Sequence, residues 1–384
     1  MVPFEFNTPE RIIFGAGAIR QLSQIVKSMS SRILCVTNLA EKTYSPILTA
    51  LTKEGIFTIP YHVSSEPTIS LVSEGVQICK QNNCDLIIGF GGGSAIDAGK
   101  AISALVTNPG DIVNYLEVIG KGLPFSALPI PMVAIPTTAG TGAEVTRNAV
   151  LKAPIQGVKV SLRSPLLLPK LALIDSELTI GLPPDITAST GLDALTQLIE
   201  PYVSLKSNPV TDMICREGIT RVAYSLFEAY DKDDPVSRDN MSLASLLGGL
   251  ALANAGLGIV HGFASVLGGM YSIPHGVICA RILPAAIEVN IRALQARTPE
   301  SKALTRYSEI AQLLTGSLES TASDGVHWID GLSRKMHIPP LSAYGVTVGD
   351  ISQIIDKTIV ASSTKTNPIQ LTPVELQDIL NTSL

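Results

Sequence analysis

The chain has 384 residues, 46% hydrophobic and 16% charged, which is enough for two domains with large cores. Its formal net charge of −5 argues against nucleic acid or an anionic membrane surface as the main partner. Cys35, Cys79, Cys84, Cys215 and Cys279 are odd in number and lack metal-ligand spacing, which fits reduced thiols in a cytoplasm; the N-terminal MVPFEFNTPERIIFG has no signal-peptide pattern.

The first half alternates strand-like and helix-like segments. Arg11–Phe14 reads as a strand and 18–29 as an amphipathic helix; Arg32–Thr37 is a strand and 44–53 a helix. Then come a strand at 58–63, a helix at Ile69–Gln81, a strand at 85–90, a helix at 95–106, and strands at 131–136 and Leu171–Ile174. Apolar runs alternating with helical periodicity predict a parallel sheet covered on both faces. Beyond Leu182-Pro183-Pro184 helical segments follow one another to 373–380, so the chain divides into 1–182, an α/β domain, and 183–384, an all-helical domain.

Two loops in the first half have ligand-binding chemistry. Strand 85–90 runs into Gly91, Gly92, Gly93 and Ser94, after which a helix starts. Glycines admit a phosphate close to the backbone, and a helix N-terminus offers N–H groups and a partial positive charge. Ser94 suits an N-cap, with Asp97 as the acidic member of a capping box. The pattern GGGSxxDxxK is neither the Rossmann fingerprint nor a P-loop. The second loop, IPTTAGTGAEV, brings Thr137, Thr138 and Thr141 beside Gly140 and Gly142, suited to a ribose or nicotinamide amide or to an ordinary connection.

The second half has an uncharged run from Met241 to Ala280 in which only His261, Tyr271, His275 and Cys279 can titrate. The run is broken by Ser242, Ser245, Asn254 and His261, so it reads as buried helix rather than membrane span. A buried imidazole without a partner costs a few kcal/mol. Two core histidines with satisfied hydrogen bonds are one reading. With Asp193, in STGLDALTQLIE, they match the carboxylate-and-imidazole set that holds a catalytic Zn²⁺ or Fe²⁺.

These motifs together resemble the iron-containing (group III) alcohol dehydrogenase family over nearly the full length and in order. RIIFGAGA, GGGSAIDAGKA, IPTTAGTGAEVT, LIDSELTIGLPP, TGLDALTQLIEPYVS, GIVHGFASVLGGMYSIPHG and TNP carry the resemblance. It implies an N-terminal nucleotide-binding α/β domain, an all-α C-terminal domain, and an active site in the cleft between them holding NAD or NADP and one divalent metal, Fe²⁺ or Zn²⁺. Asp193, His261 and His275 match metal ligands. Gly91, Gly92, Gly93, Ser94 and Asp97 correspond to the pyrophosphate site, Thr137, Thr138 and Thr141 to the nicotinamide end, and Lys159 to a nucleotide-contacting lysine.

The chain departs from the family pattern at several points. Gln197 stands where a further histidine ligand is common, so it is a weak fourth partner or a hydrogen-bonding neighbour. Ser265 replaces a histidine thought to pass a proton. Asn38, ending the CVTN strand, replaces an aspartate that repels the 2′-phosphate of NADP. Lys365, before TNP, and Arg147 point to an anionic group on the substrate.

The expected function is a cytoplasmic, homodimeric, metal-dependent NAD(P) oxidoreductase interconverting a small alcohol and an aldehyde or ketone. A cyclase or lyase resembling dehydroquinate synthase requires a denser basic pocket than Arg147, Arg163, Arg281 and Lys365 offer. A non-catalytic family member is favoured only by Gln197 and Ser265.

Overall fold

The computed structural model describes residues 3–64, 66–153 and 158–384. They form two compact units: Asn7–Thr138 with Gly142–Thr179, and Ile180–Leu384 with 3–6 and 139–141.

The first unit contains strands β1 (Arg11–Phe14), β2 (Arg32–Thr37), β3 (Phe57–His62), β4 (Leu86–Gly91), β5 (Met132–Pro136), β6 (Asn148–Ala153), β7 (Val158–Arg163) and β8 (Leu171–Ile174). Six of them make a parallel sheet in the order β1-β8-β5-β4-β2-β3. Helices α1 (Leu22–Lys27), α2 (Glu41–Lys53), α3 (Ile69–Gln81) and α4 (Gly93–Thr107) belong to the same unit. Successive strand residues point to opposite faces. Leu34 and Ile87 therefore join one apolar cluster, while their neighbours Ile33 and Ile88 join another. Both faces are covered, so β4, β5 and β8 read as continuous apolar runs without alternation.

The predicted helix at 18–29 is a 3₁₀ turn, Ala18–Gln21, followed by the short α1. Its entry is fixed by the buried Asp175, whose carboxylate accepts hydrogen bonds from the N–H groups of Gly17 and Ile19, both at 2.9 Å. This contact joins RIIFGAGA to LIDSEL, two of the sequence motifs.

The antiparallel hairpin of β6 and β7 is absent from the sequence-based reading. Burial alternates along β6, as expected of a strand with one face covered. The Asp97 carboxylate docks the hairpin by accepting from the Val150 N–H at 3.1 Å. Lys100, fully buried, donates to the Thr146 carbonyl (2.8 Å), the Thr146 hydroxyl (2.7 Å) and the Asn148 carbonyl (3.0 Å). Burial pushes Lys100 down to about 8, Asp97 up to about 6 and Glu144 up to about 7, against partial compensation among the three.

The second unit is helical: α5 (Pro184–Val203), α6 (Pro209–Lys232), α7 (Pro235–Ala255), α8 (Ile259–Met270), α9 (His275–Arg297), α10 (Lys302–Thr315), α11 (Ala322–Lys335), α12 (Ile351–Ile359) and α13 (Pro373–Ser383). Much of α5 is buried, and its residues join one continuous apolar cluster with α6 through α13. Close approach of α9 to α5 depends on Gly276, where a side-chain carbon would overlap the Ser189 carbonyl. Among the described residues no single helix is long and apolar enough to cross a membrane; the apolar pair α7 and α8 is bent by 101°.

Glu144 supplies a stability test. Its pKa in the fold, about 7, lies above the ordinary 4.5, so only the protonated carboxyl is welcome in the fold. Its contribution is complete below the unfolded value and is lost as pH rises through the folded value. Glu144→Gln should melt higher than wild type above about pH 7. That gain should vanish on acidification below 4.5, the ordinary value. Thermal melts across this range check it.

Candidate active site

Helix α5 places Asp193, Gln197 and Glu200 at i, i+4 and i+7, on one face, and all three are buried. His261 lies in the first turn of α8, and His275 opens α9. His261 Nε2 and His275 Nε2 stand 3.5 and 3.7 Å from Asp193 Oδ1. One ligand atom from each of Asp193, His261, His275 and Cys279 lies within 4.8 Å of the others. His275 is about one-third exposed, with 35% of its side chain accessible; His261 and Asp193 are enclosed.

Glu200 sets the orientation of His261. Its Oε2 lies 2.6 Å from His261 Nδ1, and its Oε1 accepts from the Val260 N–H at 2.7 Å. An ionised carboxylate can only accept, so Nδ1 carries the hydrogen and Nε2 is turned toward Asp193. Gly258 leaves room for this: a side-chain carbon there would sit 2.7 Å from Glu200 Oε1. Asn367, of the TNP motif, accepts from the Ile259 N–H at 3.1 Å, and its amide donates to Asn290 at 2.7 Å. Two side chains from distant segments thus satisfy the opening N–H groups of α8.

The electrostatics of the cluster are those of a site built for positive charge. Burial opposes charge on His261, but Glu200 and Asp193 outweigh it and push its pKa up to about 9. Burial acts to raise the Asp193 carboxyl, yet His275, His261 and the Cys279 thiol together hold it below its usual value. Asp193 Oδ1, His261 Nε2 and Gln197 Oε1 are buried without a hydrogen-bond partner. Such orphaned atoms are costly in a protein interior. Two imidazole nitrogens and a carboxylate oxygen are also donors suited to Zn²⁺ or Fe²⁺, so the residues fit a divalent metal. Gln197 lies one turn after Asp193 on the same face.

The second cluster of predicted residues gathers at the carboxyl ends of β2, β4 and β5. The strand order turns between β2 and β4, and Asn38 and Gly91 lie just past or at the ends of those strands. Ligands of open α/β sheets bind at such a switch point. Asn38 Oδ1 accepts from the Gly92 N–H at 3.1 Å, and the Thr137 N–H donates to the Gly91 carbonyl at 3.0 Å. The capping expectation is corrected: the N-cap of α4 is Gly92, with no side-chain capping bond, and Asp97 is turned to Val150. Ser94 therefore lies inside the first turn, where N–H groups lack intrahelical acceptors.

Gly92 has φ −73°, open to any residue, whereas Gly91 has φ +150° and lies against Asn38. Thr138 lines the Gly92 side, 3.7 Å from where a side-chain carbon would be. Thr141 falls in the 139–141 stretch of the second unit. Lys159, on β7, is ion-paired with Glu66. Arg147 is half-buried, and Lys365 is exposed on the 3₁₀ turn Ser362–Thr366. Ser265 donates to the Gly262 carbonyl at 2.9 Å.

Glu200, Cys279 and the bracing role of Asn367 escaped the sequence-based reading. Their signals were present: a carboxylate seven residues after Asp193 in the apolar LDALTQLIEPYV, and a thiol four after His275.

The chain belongs to the iron-containing alcohol dehydrogenase family. The model described as iron-containing alcohol dehydrogenase matches residues 9–176, and that of the Fe-containing family's C-terminal part matches 187–384. The chain is 36% identical to alcohol dehydrogenase 4 of Schizosaccharomyces pombe, over 99% of this chain and 89% of that protein. A crystal structure of 1,3-propanediol oxidoreductase matches with a TM-score of 0.92 and 31% identity, covering 100% of both chains. Sulfoacetaldehyde reductase from Bifidobacterium kashiwanohense, solved in complex with NAD⁺, matches with a TM-score of 0.88 and 26% identity, over 100% of this chain and 99% of that one. The protein is accordingly an oxidoreductase of the alcohol dehydrogenase type.

Glu200→Gln tests the orientation of His261. An amide retains the shape but loses the charge that the imidazole N–H faces. Zinc affinity should fall by about 10–100-fold with the fold intact. Competition with a chromogenic chelator, paired with circular dichroism, measures both.

Proposed function

We propose that this protein is a metal-dependent NAD(P) oxidoreductase that interconverts a small alcohol and its aldehyde or ketone by hydride transfer. The observation that carries the proposal is the convergence of Asp193, His261 and His275, with two of their donor atoms buried and unpartnered. When bound, a divalent metal supplies Lewis acidity toward the substrate oxygen and nicotinamide supplies or accepts the hydride.

The residues present divide the remaining work. Asp193, His261 and His275 hold the metal, and Gln197 is a weak fourth partner or a hydrogen-bonding neighbour. Glu200 keeps His261 in the productive tautomer. Gly91, Gly92, Gly93 and Ser94 cradle the pyrophosphate, while Asp97 steadies the adjoining hairpin. Thr137, Thr138 and Thr141 serve the nicotinamide end, and Lys159 the nucleotide. The NAD⁺ complex of the sulfoacetaldehyde reductase supports the cofactor assignment. Residues 1–182 act as the nucleotide module and 183–384 as the metal and substrate module, in a cytoplasmic homodimer. Lys365 and Arg147 favour substrates with an anionic group, a class to which the substrate in that relative's name belongs.

A panel of neutral and anionic short aldehydes, run against NADH and NADPH with Fe²⁺, Zn²⁺ and no metal, tests the reading. Turnover that depends on one metal and one nucleotide supports it. Active protein without stoichiometric metal overturns it. If only neutral aldehydes are reduced, the part assigned to Lys365 and Arg147 fails alone.

Gly92→Ala isolates the phosphate cradle. Its backbone tolerates a side chain, and the new carbon meets its nearest neighbour at 3.5 Å, an ordinary contact. Cofactor Kd should rise about tenfold or more, the scale of 1.4 kcal/mol, while Tm holds. Unchanged binding in isothermal titration removes the loop from the cofactor site.

Asn38→Asp isolates the choice of nucleotide. A carboxylate there should penalise NADP by about 1–3 kcal/mol relative to NAD. The kcat/KM ratio of the two cofactors measures this, and an unmoved ratio assigns the choice to another residue.

A further inference from the structure

Cys279 follows His275 by four residues on α9, so the two side chains leave the same face of the helix one turn apart. The thiol is buried, is hydrogen-bonded to the Asp193 carboxylate, and lies within 4.8 Å of the donor atoms of Asp193, His261 and His275. Among the described residues this is the one place where three or more such side chains converge. Independently of the cysteine, Asp193 Oδ1 and His261 Nε2 are enclosed polar atoms without hydrogen bonds. They stand 3.5 Å apart, and His275 Nε2 is 3.7 Å from the same oxygen.

These spacings have a chemical meaning. Zinc bonds of about 2.0–2.1 Å to nitrogen or oxygen and about 2.3 Å to sulfur give a tetrahedron with edges of roughly 3.3–3.4 Å between nitrogen or oxygen donors and about 3.6 Å to the sulfur. The two Asp193–histidine separations, 3.5 and 3.7 Å, exceed the length for such donors by only a few tenths of an ångström. The widest separation in the group, no more than 4.8 Å, requires a closure of about 1 Å, a small rotation of one side chain. Gln197 competes for the same role with a neutral amide oxygen, a poor donor beside a thiolate for a borderline-soft ion.

We propose that Cys279 is a fourth protein ligand and that its thiolate makes this site select Zn²⁺ over harder divalent ions. The inference rests on the metal-site reading above. On binding, the S–H bond breaks, its proton leaves to solvent, and a sulfur–metal bond forms without change of oxidation state. Carboxylate and thiolate together then balance the two charges of the ion. Mg²⁺ and Mn²⁺, which favour oxygen donors, gain little from the sulfur.

Cobalt(II) is a direct probe, because a thiolate on cobalt gives a near-ultraviolet sulfur-to-metal charge-transfer band. Tetrahedral cobalt separately gives visible d–d bands whatever its donors. Wild-type protein loaded with Co²⁺ should show both. Cys279→Ser should keep the visible bands and lose the near-ultraviolet one, while Cys215→Ser, altering a buried thiol on α6, should keep both. Zinc Kd should rise about tenfold or more in Cys279→Ser, since outer-sphere partners alone are worth 10–100-fold. Mn²⁺ affinity should stay within about threefold, because thiolate is a donor that ion does not favour. Visible bands without the charge-transfer band in wild type would overturn the role of Cys279 and leave the metal site standing. Retention of that band in Cys279→Ser would do the same. Absence of any cobalt spectrum would overturn both readings. The wild-type spectrum decides the matter even if the serine variant fails to fold.

Discussion

The hydrogen-bonded clamp of Glu200 is the constraint on which the helical unit's chemistry depends. One carboxylate takes the Val260 N–H with one oxygen and faces the His261 N–H with the other. The backbone bond sets where α8 begins, and the side-chain bond sets which nitrogen of His261 is available. A negative charge at a helix N-terminus is favourable in itself, so the clamp fixes fold and tautomer together. It also explains why Gly258 precedes the helix: any side chain there would displace the carboxylate.

The α/β unit uses backbone where the helical unit uses charge. Asn38 spends its carbonyl on the Gly92 N–H, and Gly91 adopts a conformation that a side chain would forbid. The strand ends are thereby locked in register, through the Thr137 bond to Gly91 as well. Rigidity of this kind lowers the entropy cost of ordering a loop around a ligand. Asp97 and Lys100 fasten α4 to the hairpin segment.

Much of this was legible in the sequence because the signals are local. Strands buried on both faces appear as apolar runs, and β1, β2 and β8 could be delimited to the residue. The glycine loop announced itself by falling between a strand and a helix. What could not be read locally was the identity of partners. The β6–β7 hairpin alternates correctly, but its docking depends on Asp97 and Lys100, some fifty positions earlier. Ser94 looked like a cap because serine usually is one; the chain caps α4 with Gly92 instead, leaving N–H groups open. Glu200 looked like an ordinary helical glutamate until α8 was brought against it. Cys279 offered no metal-ligand spacing to another cysteine, because its neighbours in space are histidines and an aspartate.

Asn367 has a consequence for when the centre comes into being. It closes the start of α8 from a position 108 residues away, so a growing chain that has made Asp193, His261 and His275 still lacks that brace. Until residue 367 leaves the ribosome, the Ile259 N–H has no such acceptor and the first turn of α8 is free to fray. The brace on this turn thus comes into being only after Asp193, His261 and His275 have all been translated. Full ordering of that turn therefore waits on a segment near the end of the helical unit.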